Sequence, residues 1–257
     1  MKLEDGQREF IEKGNETYIP HISIDCAVFG FHENQLKLLL IQWKETERWS
    51  LPGGFIRRDE SVDTAAKHIL QHRTGLENIF LEQFKVFGGV DRNNTPDTQT
   101  ILQAAGNKIE GDNWLLQRMV SVGYYALVDF SKIKPAPDFF LKDCRWWDIR
   151  EIPSLLFDHD QIVKSALTAL RLQLINKPIG YNLLPEKFTM AELRRLYETI
   201  LDKTIDRRNF EKKMLKLGIV DRLDEVKTDV TYKAPVLYRF NLVKYQELLE
   251  TDFGFGF

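Results

Sequence analysis

The stretch of residues 49–76 constrains the fold of this chain more than any other. Its Pro52–Gly54 triplet interrupts an apolar run and predicts a loop whose backbone can approach a ligand. Apolar side chains then recur at three- and four-residue spacing over Glu60–Arg73, which predicts an amphipathic helix, and Gly75 stands where such a helix would end. The pattern therefore predicts a strand, a glycine-containing break and a helix, in that order.

Apolar runs on both sides of this stretch predict a sheet. Ile22–Phe31 and Leu36–Gln42 are separated by a short polar break, which is typical of a β-hairpin. Further strands are predicted at Phe84–Val90, Val120–Val128 and Arg145–Ile149, and a second helix at Asp160–Leu174. The segment 91–117 is predicted as a long polar loop, with a short helix near Trp114 as an alternative for part of it.

The pattern changes near residue 180 to two compact helices and a hairpin. Thr189 and Glu192 have the spacing of a capping box and open the first helix. Asp206 is the predicted N-cap of the second helix, and Gly218 is its predicted stop. Two strands around a charged loop are then predicted at Ile219–Leu223 and Val236–Phe240.

Length and composition indicate a globular chain. The 257 residues suit one large domain or two domains of ordinary size, and 43% hydrophobic residues suffice for packed cores. We expect an N-terminal extension at 1–19, a first domain at 20–180, a second domain at 181–245 and a tail at 246–257. No apolar run approaches the roughly 18 residues of a membrane span, and no signal-like segment opens the chain. The two cysteines lie outside any CxxC spacing, which fits a cytoplasmic protein.

Charge is unevenly placed, although the formal net charge is −2. Residues 187–239 contain thirteen Lys and Arg against nine Asp and Glu. In the second helix of this region, Phe210 and Met214 fall on one side and a cationic row falls on the other, because successive positions turn by about 100°. Such a helix is either an ordinary solvated element or one that enters the major groove of double-stranded DNA. The residues expected to contact DNA are Arg207, Arg208, Asn209, Lys212, Lys213, Lys216, Lys233 and Arg239.

The helix after the Pro-Gly-Gly break carries a second constellation. Gly54, Glu60, Leu70 and Gly75–Leu76 follow the register of G-x5-E-x7-R-E-U-x-E-E-x-G-U, where U is apolar, and this segment resembles the Nudix box. In active members of that family, the helix carboxylates hold magnesium or manganese against a diphosphate. The R-E and E-E positions here are His68, Ile69, His72 and Arg73. The resemblance therefore implies a binding pocket that does not hydrolyse, with no catalytic residue, metal ligand or cofactor.

Two alternatives remain open for this region. His68 and His72 share a helix face as two zinc ligands would, but no Glu or Cys is placed to complete the set, and a partly exposed histidine pair beside the core residues is the favoured interpretation. The cations Arg57, Arg58 and Lys67 either neutralise a phosphorylated ligand or form a solvated basic surface. The residues expected to contact an effector are Arg57, Arg58, Glu60 and Asp91.

The two constellations in this order resemble the Nudix-related transcriptional regulators, which join a degenerate Nudix domain to a winged helix-turn-helix. The C-terminal part of the resemblance rests on Asn182–Pro185, Phe188–Thr189, Glu192–Leu193, Leu196–Glu198, Asp206–Phe210 and Ala234–Asn241. It implies an α+β fold, with a Nudix-like α/β/α sandwich around a mixed sheet before the winged helix. It also implies a homodimer that binds palindromic operator DNA and senses a small effector. A sugar such as arabinose is favoured, and a nucleotide of the ADP-ribose type comes next.

The competing hypothesis is a divergent metal-dependent Nudix hydrolase of a nucleoside diphosphate derivative. Its candidate carboxylates are Glu77, Glu82 and Asp91, which lie downstream of the box. Metal-dependent turnover of ADP-ribose or a sugar nucleotide would favour this hypothesis over a regulator.

Overall fold

The computed structural model describes residues 3–44, 47–75, 79–92, 98–99, 101–102, 113–130, 133, 141–177, 179–228 and 234–250. Their contacts form two compact units. The first comprises Met1–Phe29 and Lys37–Leu167, and the second comprises Gly30–Leu36 and Thr168–Phe257. The functional boundary expected near residue 180 stays a prediction. In the described part of the chain, no helix is long and apolar enough to cross a membrane.

A seven-stranded sheet forms the centre of the first unit. Its strands are β1 (Tyr18–His32), β2 (Gln35–Trp43), β3 (Trp49–Ser50), β4 (Gly53–Arg57), β5 (Phe80–Phe87), β6 (Val120–Val128) and β7 (Leu141–Asp148). The order is β3-β2-β1-β6-β5, and β4 and β7 pair with β1 and β2 respectively. The hairpin predicted between β1 and β2 is confirmed: Glu33 and Asn34 both have positive φ, as in a two-residue type I′ turn.

The prediction of a loop at Pro52–Gly54 is wrong at Gly53 and Gly54. The chain does not remain a loop there, because Gly53 already begins β4, which pairs antiparallel with β1 through Ile24 and Asp25. A Cβ on Gly53 would lie 2.6 Å from Asp25 Oδ1 and 2.7 Å from the Ile24 carbonyl oxygen. Glycine is therefore required by the close approach of two strands rather than by a free loop.

The first unit also contains the helices α1 (Leu3–Thr17), α2 (Val62–Thr74) and η1 (Trp114–Leu116). The predicted helix is α2, with Ser61 as its N-cap and Gly75 as its C-cap. Its buried residues Ala65, Ala66 and Leu70 pack in the core of the sheet. The helix α1 was not predicted, and it covers part of the segment expected as an extension. The 3-10 helix η1 confirms the alternative of a short helix near Trp114, and most of the segment expected as a long loop falls outside the described residues.

The second unit contains a helix–turn–helix and a three-stranded sheet. The long helix α3 (His159–Asn176) begins in the first unit and ends in the second. It is followed by η2 (Tyr181–Leu183), β8 (Phe188–Thr189), α4 (Met190–Leu201), α5 (Arg207–Leu217), β9 (Val220–Val226), β10 (Val236–Phe240) and α6 (Leu242–Glu250). The sheet order is β8-β10-β9. The two helices and the hairpin confirm the prediction, whereas β8 and α6 were not predicted.

Local signals and core packing agree in this unit. Thr189 and Glu192 form the predicted capping box at the start of α4. The ring centroids of Tyr197 and Phe210 lie 5.3 Å apart, so that α4 and α5 pack through aromatic side chains. Arg171 of α3 donates from Nε to the Ile200 carbonyl at 2.8 Å, which satisfies an acceptor in the last turn of α4.

Candidate functional site

A cavity of about 610 Å³ opens in the first unit, between α1, α2 and the sheet. One side is aromatic: Phe10, Tyr18 and Phe55 line it and pack around Trp114. The centroids of Phe55 and Trp114 are 4.7 Å apart, and those of Phe10 and Trp114 are 5.5 Å apart. This aromatic wall offers flat apolar surfaces of the kind on which a planar ring stacks.

A second side of the cavity is mostly polar, and it is formed by the end of β4, the turn that follows and α2. The lining residues contributed there are Arg57, Glu60, Ala65, His68, Ile69, His72 and Arg73. Ile69 packs against the backbone of β4, since a Cβ on Gly54 would lie 3.0 Å from Ile69 Cγ1. This part of the cavity therefore combines the apolar side chain of Ile69 with mostly polar side chains, of which only Glu60 is acidic.

Glu60 lines the cavity, and both of its carboxylate oxygens have partners. One accepts the Arg57 backbone N–H at 2.9 Å, and the other lies 2.8 Å from Nδ1 of His68. The Glu60 side chain is only 8% exposed. It therefore closes the turn between β4 and α2.

The structure brings together two of the four residues expected to contact an effector. Arg57 and Glu60 line the cavity. Arg58 does not, because its guanidinium donates to the Asn15 carbonyl at the end of α1, at 3.0 Å. Asp91 is exposed and also lies outside the lining.

Sequence reasoning missed a buried polar network beside the cavity, centred on Asp25 of β1. Arg92 Nη2 forms an ion pair with Asp25 Oδ2, and the Ser121 hydroxyl donates to the same oxygen at 2.6 Å. Arg92 also reaches Asp158 Oδ1 at 2.8 Å. Asp25, Arg92 and Ser121 are all buried, so the network is sheltered from water.

His159, the first residue of α3, completes this network. Its Nδ1 accepts the Leu51 backbone N–H at 2.9 Å, so the imidazole carries its proton on Nε2, which lies 3.3 Å from Asp25 Oδ1. Burial would raise the pKa of the Asp25 carboxyl, but His159, Arg92 and Ser121 hold that pKa well below its usual range. A lone acid within the apolar run Ile22–Phe31 was the one signal for this network in the sequence.

The second candidate surface is α5. Phe210 and Met214 are buried, whereas the cationic row is exposed, as are the first-turn residues: Arg207, Arg208, Asn209, Lys212 and Lys216. The Asp206 side chain accepts the Asn209 backbone N–H at 2.9 Å and thereby caps the helix. Lys213 is half-buried, and burial together with nearby Lys203 lowers the pKa of its ammonium.

Other cations of the second unit differ in their surroundings. Arg239 on β10 is 58% exposed, with its Nε 3.7 Å from Asp221 Oδ2. Lys233 lies outside the described residues. Lys187 pairs with Glu225 at 2.7 Å and Lys227 with Glu192 at 2.6 Å, so part of the basic excess counted in the sequence is neutralised locally. Lys187 and Lys227 are thus paired, whereas Arg208, Lys212 and Lys216 form one exposed row on α5.

Residues 20–169 match the family model of the NUDIX domain, which covers more than half of the chain. The chain belongs to the Nudix family. Residues 180–240 match the model of the NrtR DNA-binding winged helix domain. The order of domains given by the resemblance, a Nudix domain followed by a winged helix domain, is thus confirmed, as is the fold class.

Two curated proteins are similar to this Nudix-family chain. The ADPR responsive transcriptional repressor NtrR of Acinetobacter baylyi is 28% identical over 244 residues, which cover 92% of this chain and 86% of that protein. An ADP-ribose pyrophosphatase of Methanocaldococcus jannaschii is 26% identical over 141 residues, which cover 54% of this chain and 70% of that protein.

Solved structures show the same fold. Shewanella oneidensis NrtR complexed with a 27mer DNA has a TM-score of 0.66 at 24% identity, and the match covers 88% of this chain and 95% of that one. A MutT/nudix family protein from Enterococcus faecalis has a TM-score of 0.62 at 20% identity, covering 94% and 100%.

The Nudix fold implies a divalent cation held by carboxylates of the box, and the residues present do not fit one. At the box positions, His68 contacts Glu60, Ile69 has no ligating atom, and Arg73 is a cation. Within the described ranges, no three His, Cys, Asp or Glu side chains are grouped as a metal site would need. The zinc site considered for His68 and His72 likewise has no third ligand among these residues.

Proposed function

We propose that this chain is a DNA-binding transcriptional repressor whose Nudix domain binds a nucleotide of the ADP-ribose type without hydrolysing it. The observation that carries the proposal is the exposed row Arg208, Lys212 and Lys216 on α5, within the segment that matches the NrtR DNA-binding winged helix domain. We assign effector binding to residues 20–180 and DNA binding to residues 181–245.

The DNA interface follows from the position of α5 on its own core. Burial of Phe210 and Met214 fixes the helix, so that its cations and first-turn donors stand ready for phosphates and base edges. The proposed contacts are Arg207, Arg208, Asn209, Lys212, Lys213 and Lys216, with Lys233 and Arg239 on the phosphate backbone. A homodimer would present two such helices to the half-sites of a palindromic operator.

The cavity supports a nucleotide effector. Its volume of about 610 Å³ lies within the roughly 300–1,000 Å³ of small-molecule sites. The aromatic wall suits a base, and Arg57 and Arg73 suit a phosphate. The similar Acinetobacter baylyi repressor is named for its response to ADPR, whereas no reported relative supports the sugar favoured by the sequence resemblance.

Binding without hydrolysis is proposed because the box lacks the carboxylates that hold the cation and its water. The similarity to an ADP-ribose pyrophosphatase favours hydrolysis as the second candidate function. Product formation from ADP-ribose with magnesium or manganese separates the two: a regulator returns the ligand intact.

The test is fluorescence anisotropy of the full chain on DNA from upstream of its own and neighbouring genes. We expect tight binding that weakens steeply with salt, since phosphate contacts release counterions. ADP-ribose should relieve this binding and arabinose should not. Equal affinity for random DNA would contradict the repressor assignment, and relief by arabinose alone would contradict the nucleotide assignment.

A further inference from the structure

The side of the cavity formed by the last residue of β4 and by α2 has the opposite charge to that of a metal-binding Nudix box. Four side chains that line the cavity define this charge-inverted face: Arg57, His68, His72 and Arg73. Resting on the proposed function, we propose that the charge-inverted face binds the anionic group of the effector directly, without a divalent cation.

This inference follows from the charges of the phosphate and of the side chains that would bind it. Carboxylates and phosphates are both negative, so a box of glutamates needs a cation between them. Arginine needs no such bridge, because its planar guanidinium donates to phosphate oxygens in a fork. At Arg73 a guanidinium stands where the box pattern has a carboxylate, and it repels a divalent ion.

The acids that remain at the cavity are already engaged. Among the described lining residues these are Asp25 and Glu60. The carboxylate of Asp25 is held by Arg92, Ser121 and His159, and that of Glu60 by the Arg57 N–H and His68. A metal ion would have to displace these partners. An anion in the cavity would instead meet the guanidinium groups of Arg57 and Arg73, which line it.

The experiment is isothermal titration of the full chain with ADP-ribose, first in excess EDTA and then in excess magnesium chloride. We expect the two dissociation constants to agree within about twofold. In EDTA, Arg73→Met should weaken binding about tenfold or more, because a charge-assisted contact is lost. Lys67→Met is the matched control: Lys67 is an exposed cation on the same helix that does not line the cavity, and its removal should leave the affinity unchanged.

A second variant, His72→Glu/Arg73→Glu, restores two carboxylates of the box. Its affinity in EDTA should fall about a hundredfold and recover in part with magnesium, with thermal unfolding confirming that it folds.

The outcomes separate this inference from the proposed function. Wild-type affinity that falls about tenfold or more on removing magnesium overturns the inference alone, as does equal binding by Arg73→Met and Lys67→Met. No binding of ADP-ribose in either condition overturns the effector assignment and the inference together.

Discussion

The charge-inverted face beside the cavity and the cationic face of α5 both present Arg or Lys side chains, but the two faces have different surroundings. The charge-inverted face lines a bounded cavity together with aromatic rings and a buried carboxylate. The face of α5 is open to solvent along its length. A bounded cavity selects a small ligand by its shape and its polar groups, whereas an open row of cations selects a polyanion by the spacing of its charges. The two faces are therefore proposed to bind different ligands because their surroundings differ, although both are cationic.

The largest expected effect concerns Asp25, the buried acid at the cavity. Among the described residues, the exposed face of α5 has no buried acid of this kind. Asp25→Ala removes the more buried of the two carboxylates that pair with Arg92, and also the acceptor for Ser121, so we expect the free energy of unfolding to fall by about 3–5 kcal/mol. Urea denaturation measures this change. Asp91→Ala, at an exposed acid, is the control and should be nearly silent.

The same acid makes stability depend on pH in a defined direction. The pKa of Asp25 is lowered in the folded chain, so its stabilising contribution is complete well above the unfolded pKa of about 3.9. As the pH falls below about 4, the unfolded state takes up the proton first, and this contribution is lost progressively. Urea denaturation across this range should show a shallower loss for Asp25→Asn than for wild type; parallel curves would contradict the assignment.

The next effect concerns the open row on α5. We expect Arg208→Ala/Lys212→Ala/Lys216→Ala to lose about a hundredfold in DNA affinity and to flatten the salt dependence by about three units, one for each phosphate contact. Anisotropy at several salt concentrations measures both. ADP-ribose affinity should not change. An unaltered salt slope would show that α5 is a solvated surface.

A smaller effect should appear at the aromatic wall. Phe55→Ala removes a ring that lines the cavity and packs against Trp114, so ADP-ribose affinity should fall about tenfold, since base stacking is worth about 1–3 kcal/mol. DNA affinity without effector should stay at the wild-type value. Loss of DNA affinity instead would remove the distinction drawn between the two faces.

The smallest effect concerns the start of α5. Asp206→Ala removes the side chain that caps the helix, at a cost of about 1 kcal/mol in unfolding free energy. DNA binding at low temperature should weaken only slightly. Asp206→Asn should restore most of the stability, because the amide oxygen accepts the same bond.

The sequence predicted those helix ends and helix faces that depend on residues close together in the chain. The capping box at Thr189, the caps at Asp206 and Gly218, and the apolar spacing of α2 were all readable in the sequence and are present in the structure. The missed elements depend on distant partners. The two-residue β8 exists because β10 pairs with it, and α1 packs against Trp114, about a hundred positions along the chain.

The residues of the candidate cavity likewise include some that the sequence predicted and others that only the packing placed there. The residues of α2 were found because one helix carries them at fixed spacing. Arg57 and Arg58 are adjacent in sequence, yet one lines the cavity and the other contacts the end of α1, a choice set by the packing of α1. Asp25, Arg92 and His159 come from three separate parts of the chain, so no spacing joins them.

The sequence by itself determined the order of the two domains, the caps and faces of their helices, and the reversal of charge in the box, because each depends on residues close together in the chain. The tertiary structure decided the aromatic wall, the buried network around Asp25, and which cations meet a cavity, a carbonyl or solvent. These depend on long-range packing, which sets the distance and dielectric between groups that the sequence leaves unrelated.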